Sequence, residues 1–254
     1  MSKLSIIIPT FNDHEAFLAT LKTVVSEIML GDEIIVVDSS RDPSLAENIV
    51  AQLDVPHRVK LFWQKPRGVY SAQNFGITKS NGDWIQIVNS GDSYLKGARL
   101  EILEKIDMYP TALVHVFSQS CSLNKTYVAE FIPSLESIWP HQSVVAHKQV
   151  HEKFGYYDEK HTFISDQLFL LKIRSQVEVK LHKPVITDYD LSGISSTFSL
   201  NLCSEIRLLN DARGSAFFSS YISAYLTPLV SHVLSKLLGR SNIIKLKLYL
   251  RRKL

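Results

Sequence analysis

Three short apolar runs of this sequence are each followed by a group that carries polar residues. The three groups are Pro9-Thr10-Phe11-Asn12, Asp38-Ser39-Ser40 and Asn89-Ser90-Gly91-Asp92. An aromatic ring can stack on a base, one carboxylate can accept hydrogen bonds from a base or ribose, and another can hold a divalent cation against phosphates. Phe11, Asp38 and Asp92 provide these groups, so the pattern is typical of a nucleotide site.

Each group also has an ordinary structural explanation. Asp38 could cap the helix that follows it, and Phe11 could belong to the core. Residues 89–92 could form a plain turn, since Asn, Ser, Gly and Asp are common turn residues. The residue types alone leave both explanations open.

Regular alternation of strand and helix patterns over residues 1–117 would bring the three groups together. The predicted strands are 5–8, 33–37, 59–63, 84–88 and 112–117, and the predicted helices are 15–28, 44–53, 69–78 and 97–106. This order predicts a mainly parallel sheet with helices on both faces and right-handed crossovers. The loops after the strands then share one edge, which is where α/β sheets bind ligands.

The pattern is less regular after residue 117. We predict short strands at 126–132 and 143–146, and short helices at 148–154 and 166–173. From about residue 200 the pattern is helical, with segments at 202–210 and 216–238. The second segment is so apolar that it must pack on the body of the protein, on a partner chain or on lipid, which leaves a homo-oligomer open.

Composition indicates a globular protein whose basic charge is concentrated at one end. The 254 residues are 45% hydrophobic with a formal net charge of +3, and six cations without an acid after residue 239 leave −3 on the rest. This charge distribution does not suggest nucleic-acid binding, which needs cations along a face.

The N-terminal apolar run is too short for a signal peptide. Cys121 and Cys203 fit neither a disulfide framework nor a metal spacing, so we expect a reducing cytoplasm.

Four motifs resemble those of the family 2 glycosyltransferases with a GT-A fold, especially enzymes that build bacterial surface polysaccharides such as colanic acid, capsule and O-antigen. They are residues 5–12, 33–40, 68–77 and 82–92. The resemblance continues through 141–145, 154–158 and 165–171, so it covers roughly residues 4–195. It implies a Rossmann-like, mainly parallel sheet flanked by helices.

The resemblance also implies how the chain is divided. Residues 1–198 would form the GT-A domain, in which 1–117 bind the nucleotide sugar and 118–198 form the acceptor and catalytic half. Residues 199–254 would be a helical C-terminal extension that ends in a basic amphipathic tail.

By this resemblance the protein would transfer a sugar from a UDP- or GDP-sugar to an acceptor hydroxyl, with inversion at the anomeric carbon. Asp166 stands at the position of the family's catalytic base, which takes the hydroxyl proton as the oxygen attacks. Asp92 would hold Mn²⁺ or Mg²⁺ on the diphosphate, and His141 would line the acceptor side. The residues expected to bind the nucleotide sugar are Pro9, Thr10, Phe11, Asn12, Asp38, Arg67, Gly68, Asn74, Asn89, Ser90 and Gly91.

Three positions depart from the family pattern. Ser90 stands at the first acidic position of the metal motif, Gln73 where an arginine is common, and Ser165 where an acid often precedes the base. Arg67 is close enough in sequence to replace the missing cation. Asp166 could also be no more than a helix N-cap. These departures leave a second hypothesis, a catalytically silent nucleotide-sugar-binding subunit of a polysaccharide assembly complex.

The C-terminal tail has a separate pattern. Residues 243–253 mix bulky apolar side chains with lysine and arginine, which is typical of a helix lying on an anionic membrane surface. No apolar stretch reaches the length that spans a bilayer. A lipid-linked saccharide acceptor would explain the tail and segment 216–238 together, and would place the protein in the cytoplasm at the inner face of the cytoplasmic membrane. The alternatives are a solvated basic end or a helix docked on its own domain.

Overall fold

The computed structural model describes residues 3–53, 58–123, 125–135 and 137–191, together with residues 204, 205, 208 and 209. The strands are β1 (Leu4–Thr10), β2 (Glu33–Asp38), β3 (Val59–Trp63), β4 (Trp84–Ile87), β5 (Ser93–Tyr94), β6 (Val114–Leu123), β7 (Thr126–Phe131), β8 (Val144–His147) and β9 (Val179–Asp190). The helices are α1 (His14–Val25), α2 (Ser44–Ala51), α3 (Val69–Lys79), α4 (Ala98–Met108), α5 (Lys148–Phe154) and α6 (Ser165–Ile173). A 3₁₀ turn, His141–Ser143, precedes β8.

Within the described residues these strands form one sheet, which is parallel in its first half. The strand order is β3-β2-β1-β4-β8-β6-β9-β5, and β7 pairs with β6. β1 lies between β2 and β4, and β2 lies next to β3, with all these pairs parallel. β8 then lies antiparallel between β4 and β6, while β6 and β9 are parallel. The parallel sheet predicted for the first half is confirmed, and every antiparallel pair includes a strand of the second half.

Helices cover both faces of the sheet, because its inner strands are apolar on both sides. One core joins β1 to α1 and α4 and includes Ile6, Ile8, Phe17, Leu21 and Ile102. The other core joins β1 and β2 to α3 and includes Ile7, Ile35, Val37, Tyr70 and Ile77. Gly76 allows α3 to lie close to β1, since a Cβ there would come within 2.4 Å of Ile7 Cγ2.

Two strands, β5 and β9, were not predicted from the sequence. β5 has only two residues, and β9 is interrupted by Pro184 and carries Lys180 and Lys183, which obscure an apolar pattern. β9 pairs with β6 from Val114 to Ser122, and this partner extends β6 beyond its predicted end at residue 117. Tertiary pairing therefore decides the length of both strands.

Most of the predicted C-terminal extension lies outside the described residues, as do the boundary at 198, the helix at 216–238 and the tail at 243–253. Residues 204, 205, 208 and 209 of the predicted helix 202–210 are helical. The carboxylate of Glu205 accepts the backbone N–H groups of Thr162 and Phe163, both at 2.8 Å, so this segment contacts the loop before α6. Within the described part of the chain, no helix is both long and apolar enough to cross a membrane.

A buried ion pair ties α4 to the start of the sheet. Arg99 Nε lies 2.7 Å from Asp32 Oδ2, Arg99 Nη2 lies 2.9 Å from Asp32 Oδ1, and both side chains are 1% exposed. The Asp32 carboxylate also accepts the backbone N–H groups of Leu4 and Met29, at 2.9 and 2.8 Å. Removing one charge would leave the other desolvated and uncompensated.

We expect Asp32→Ala to lower the free energy of unfolding by about 3–5 kcal/mol, because the Arg99 guanidinium would stay buried without its counter-ion. The exposed pair of Lys105 and Glu104, whose charged atoms lie 2.7 Å apart, offers a matched control. Glu104→Ala should leave the midpoint of urea unfolding nearly unchanged. Similar losses in the two variants would show that the buried pair contributes no more than a surface pair.

Candidate active site

The ends of β1, β2 and β3 lie side by side at one edge of the sheet. Thr10, Asp38 and Trp63 are direct partners on these neighbouring strands. The turn after β4 joins them, since the Ser90 N–H donates to the Pro9 carbonyl at 3.3 Å. The fold thus brings together the three polar groups that the sequence places after separate strands.

Asp38 presents an acceptor atom at this edge. Its Oδ1 accepts the Ser40 N–H at 2.8 Å, while Oδ2 is buried and has no hydrogen-bond partner among the described residues. The hydroxyls of Thr10 and Ser39 and the amide nitrogen of Gln64 are also buried without partners in that part of the chain. Buried polar atoms normally have partners, and ligand groups could satisfy these. The N-cap of α2 is Pro43 without a side-chain cap, which excludes a capping role for Asp38.

Two half-exposed aromatic rings accompany Asp38. Phe11 is 52% exposed, so it is not a core residue, and Trp63 is 53% exposed. Trp63 is fixed by a hydrogen bond of 3.0 Å from its Nε1 to the Ser40 carbonyl. The sequence pattern predicts Trp63 only as the end of a strand and did not indicate its position beside Asp38. An aromatic residue at the last position of a strand beside Asp38 was the available signal.

The start of α3 provides a glycine, a cation and a structural amide. Gly68 has φ of +100° and precedes α3. Arg67 is exposed, with its Nη2 3.8 Å from Glu159 Oε2. Asn74 is buried, and its side-chain amide exchanges two hydrogen bonds with the backbone of Tyr157, at 2.9 and 3.0 Å. Asn74 therefore fastens α3 to the loop before α6, and its contact with a ligand stays a prediction.

Asp92 is a buried carboxylate with two protein donors. It is 4% exposed, its Oδ2 accepts from Gln142 Nε2 at 3.0 Å, and its Oδ1 accepts the Asp190 N–H at 3.0 Å. Burial raises the pKa of Asp92 to about 7, although these two hydrogen bonds act in the opposite direction. The Thr20 hydroxyl fixes the turn by donating to the Asp92 carbonyl at 2.6 Å and accepting the Gly91 N–H at 2.9 Å.

This turn fits a divalent cation that is held mainly by substrate oxygen atoms. In the described ranges, no cluster of three or more His, Cys, Asp or Glu side chains could hold a metal by itself. Mg²⁺ in phosphate sites commonly uses one or two carboxylates together with the phosphates. Each oxygen of Asp92 retains a lone pair after its hydrogen bond, and a cation would offset the cost of burying its charge.

Asp166 is held by two side-chain donors from other elements. It is 4% exposed, the Tyr70 hydroxyl donates to its Oδ1 at 2.6 Å, and His141 Nδ1 lies 2.8 Å from its Oδ2. The N-cap of α6 is Ile164 without a side-chain cap, so Asp166 is not the N-cap. Burial, together with the nearby Asp166 carboxylate, raises the pKa of Tyr70 far above its usual range. Tyr70 therefore remains a donor, and its position inside a predicted helix gave no sign of this contact.

The contacts continue from His141 to the turn after β4. Asn89 Nδ2 lies 3.1 Å from His141 Nε2, and Asn89 Oδ1 accepts from Gln73 Nε2 at 3.0 Å. Gln73 is fully buried. Asn89, His141 and Asp166, for which the sequence suggests separate roles, thus lie in one connected network.

A family model described as glycosyl transferase family 2 matches residues 5–164. The chain is 29% identical over 130 residues to the GalNAc(5)-diNAcBac-PP-undecaprenol beta-1,3-glucosyltransferase of Campylobacter jejuni, covering 49% of this chain and 40% of that protein. The chain spans less than half the length of the curated relatives that it matches.

Solved structures share the fold at low sequence identity. Residues 1–349 of S. aureus TarS, in complex with UDP-GlcNAc, give a TM-score of 0.68 at 16% identity, covering 89% of this chain and 73% of that one. The mannosyltransferase PcManGT from Pyrobaculum calidifontis, in complex with GDP-Man and Mn²⁺, gives a TM-score of 0.66 at 13% identity, covering 98% and 79%. The GT-A fold implied by the sequence motifs is confirmed.

We expect Mn²⁺ binding to weaken as the pH falls below about 7, because Asp92 then carries a proton that the ion must displace. Calorimetric titration of Mn²⁺ into the protein with UDP should show an affinity loss approaching about tenfold per pH unit below that value. Asp92→Asn has no ionisable group at this position. It should bind Mn²⁺ weakly and lose the part of the pH dependence that comes from Asp92. The same slope in both proteins would show that Asp92 is not a ligand.

Proposed function

Since this chain belongs to glycosyl transferase family 2, we propose that it transfers a sugar from a UDP- or GDP-sugar to an acceptor hydroxyl with inversion of the anomeric configuration. The observation that carries the proposal is one hydrogen-bonded network that links the strand-end turn at Asn89 to the buried carboxylate of Asp166. The network therefore connects the proposed binding edge of the sheet to the candidate base.

In this proposal the donor nucleotide lies along the ends of β1, β2 and β3. The base stacks on Phe11, and the free Oδ2 of Asp38 accepts a hydrogen bond from the base or ribose. Thr10 lines the same pocket, whose wall includes Pro9 and Asn12. The unpartnered buried atoms near Asp38 support this assignment, since a bound nucleotide would satisfy them.

The diphosphate in this proposal reaches the turn formed by residues 89–92, with Gly68 and Arg67 at the start of α3. Gly91, with φ of +102°, leaves open space above its backbone, so a phosphate can approach it closely. Asp92 would hold the divalent ion, and Mn²⁺ or Mg²⁺ bound there would neutralise charge on the departing diphosphate.

Asp166 acts as the base on the acceptor side. The acceptor oxygen forms a bond to the anomeric carbon while its proton passes to an oxygen of Asp166, and the diphosphate leaves with the electron pair of the broken bond. One displacement of this kind inverts the anomeric configuration. His141 contacts Asp166 directly, which supports its predicted place near the acceptor.

We further propose that the acceptor is a lipid-linked saccharide in surface polysaccharide synthesis. The name of the C. jejuni relative specifies an undecaprenol-linked acceptor for that protein. The apolar segment 216–238 and the tail 243–253 of this chain have the composition of lipid-contacting segments. This assignment places the protein in the cytoplasm, peripherally at the inner face of the membrane.

We expect Asp166→Asn to lower kcat by about 100-fold or more while nucleotide binding is retained, because the amide cannot take the acceptor proton. Turnover is measured over a panel of sugar nucleotides with Mn²⁺, and Kd for UDP and GDP is measured by calorimetry. Asp107 is an exposed carboxylate on α4, and the control variant Asp107→Asn should keep full turnover. A wild type that binds nucleotide but transfers no better than Asp166→Asn would favour the silent-subunit hypothesis.

Deletion of residues 240–254 should release the protein from anionic vesicles, because it removes six cations. Sedimentation with phosphatidylglycerol vesicles measures binding, and phosphatidylcholine vesicles control for binding without surface charge. Equal sedimentation of the full chain and the truncated chain would remove the tail from the proposal.

A further inference from the structure

Five side chains form a continuous line of hydrogen bonds between α3, the turn after β4, the 3₁₀ turn and α6. The contacts run from Gln73 to Asn89 at 3.0 Å, from Asn89 to His141 at 3.1 Å, and from His141 to Asp166 at 2.8 Å. Tyr70 closes the line by donating to Asp166 at 2.6 Å. Gln73 and Asp166 are buried, and Tyr70 is 5% exposed, so most of the line is shielded from water.

With His141 neutral, only one assignment of the hydrogen atoms gives every contact along this line one donor and one acceptor. An ionised carboxylate can only accept, so a neutral His141 carries its hydrogen on Nδ1 in this contact. His141 Nε2 is then an acceptor, and Asn89 must present its NH₂ group to it. The Asn89 oxygen is left to face Gln73, whose amide nitrogen donates. Reversing any one amide would place two donors or two acceptors against each other.

We propose that Gln73, Asn89 and His141 are positioning residues that fix the orientation of the Asp166 carboxylate for proton transfer. The inference rests on the proposed glycosyl transfer and adds to it. His141 Nδ1–H holds Oδ2 and the Tyr70 hydroxyl holds Oδ1, while each oxygen retains one lone pair for the acceptor hydroxyl. Asn89 and Gln73 act at a distance, because they hold His141 in the tautomer that donates to Asp166.

This arrangement gives a physical role to a residue that departs from the family pattern. Gln73 replaces a common arginine, but it is fully buried and donates to Asn89. Its amide nitrogen donates to Asn89 as an arginine could, but it introduces no buried charge. Gln73 therefore belongs to the support of Asp166 and not to an exposed diphosphate contact.

Substitutions at His141 distinguish the contributions of the two ring nitrogens, Nδ1 and Nε2. His141→Phe removes both hydrogen bonds and should lower kcat by about 100-fold, since a misplaced reacting group costs that much, with KM for the donor unchanged. His141→Asn places an amide nitrogen near the position of Nδ1 and should recover most of the lost kcat. His141→Gln places its amide near Nε2 and should not. Full activity of His141→Phe would show that the ring only occupies volume, and equal kcat of the Asn and Gln variants would contradict a specific role for Nδ1.

Gln73→Glu tests which atoms donate and which accept along this line. An ionised glutamate only accepts, so Asn89 would turn its NH₂ group to residue 73 and its oxygen to His141 Nε2. Nε2 would then need a hydrogen, and the neutral ring would offer Asp166 a lone pair in place of a donor. We expect kcat to fall with unchanged UDP affinity. Undiminished kcat in Gln73→Glu would overturn the inference.

The tautomer of His141 can be measured without any turnover. ¹⁵N chemical shifts of the histidine rings, assigned by loss of the signal in His141→Phe, should show Nδ1–H and an unprotonated Nε2 in the wild type. An Nε2–H tautomer would overturn the inference even if the protein is an active transferase. Absence of transfer by a wild type with the expected tautomer would instead contradict the proposed function.

A buried histidine outside this network provides the control for stability. His115 Nδ1 lies 3.0 Å from His182 Nε2, and both rings are buried in another part of the sheet. His115→Asn should lower Tm and leave kcat unchanged. A parallel loss of kcat in His115→Asn would show that kcat follows general stability, and it would contradict a specific role for His141.

Discussion

Parallel pairing of β1, β2, β3 and β4 is the constraint on which the rest of the site depends. It places the carboxyl ends of these strands at one edge, so residues far apart in the sequence, such as Thr10, Asp38 and Trp63, become direct neighbours. The same register allows the turn after β4 to bond to the end of β1. Apolar residues on both faces of the strands stabilise this arrangement, because each face packs against helices.

The second half of the chain adds groups to this edge from antiparallel and helical elements. β8 pairs antiparallel with β4, and the 3₁₀ turn before β8 brings His141 and Gln142 against the strand-end turn. Gln142 bonds Asp92, while His141 bonds both Asn89 and Asp166. The two halves therefore meet through side-chain hydrogen bonds, and the orientation of Asp166 depends on residues of the first half.

The sequence predicts the fold best where local pattern and tertiary structure agree. The strands of the first half are apolar and regularly spaced, so their parallel pairing and the convergence of their ends could be predicted. β9 could not, because its lysines and Pro184 obscure the pattern and its pairing with β6 determines its length. Motif position indicated Asp92, Asp166 and His141, but which side chains contact them depends on packing. Tyr70 and Gln73 look like ordinary helix residues, and only the packing of α3 brings them to Asp166 and Asn89.

A single displacement with Asp166 as base is the central claim, and the stereochemistry of the product tests it most directly. An α-linked sugar nucleotide should yield a β-linked product, since the acceptor oxygen attacks the face opposite the leaving diphosphate. The coupling constant of the anomeric proton in the NMR spectrum of the first-formed product distinguishes the two configurations. A β-linkage agrees with the account, and an α-linkage would contradict it.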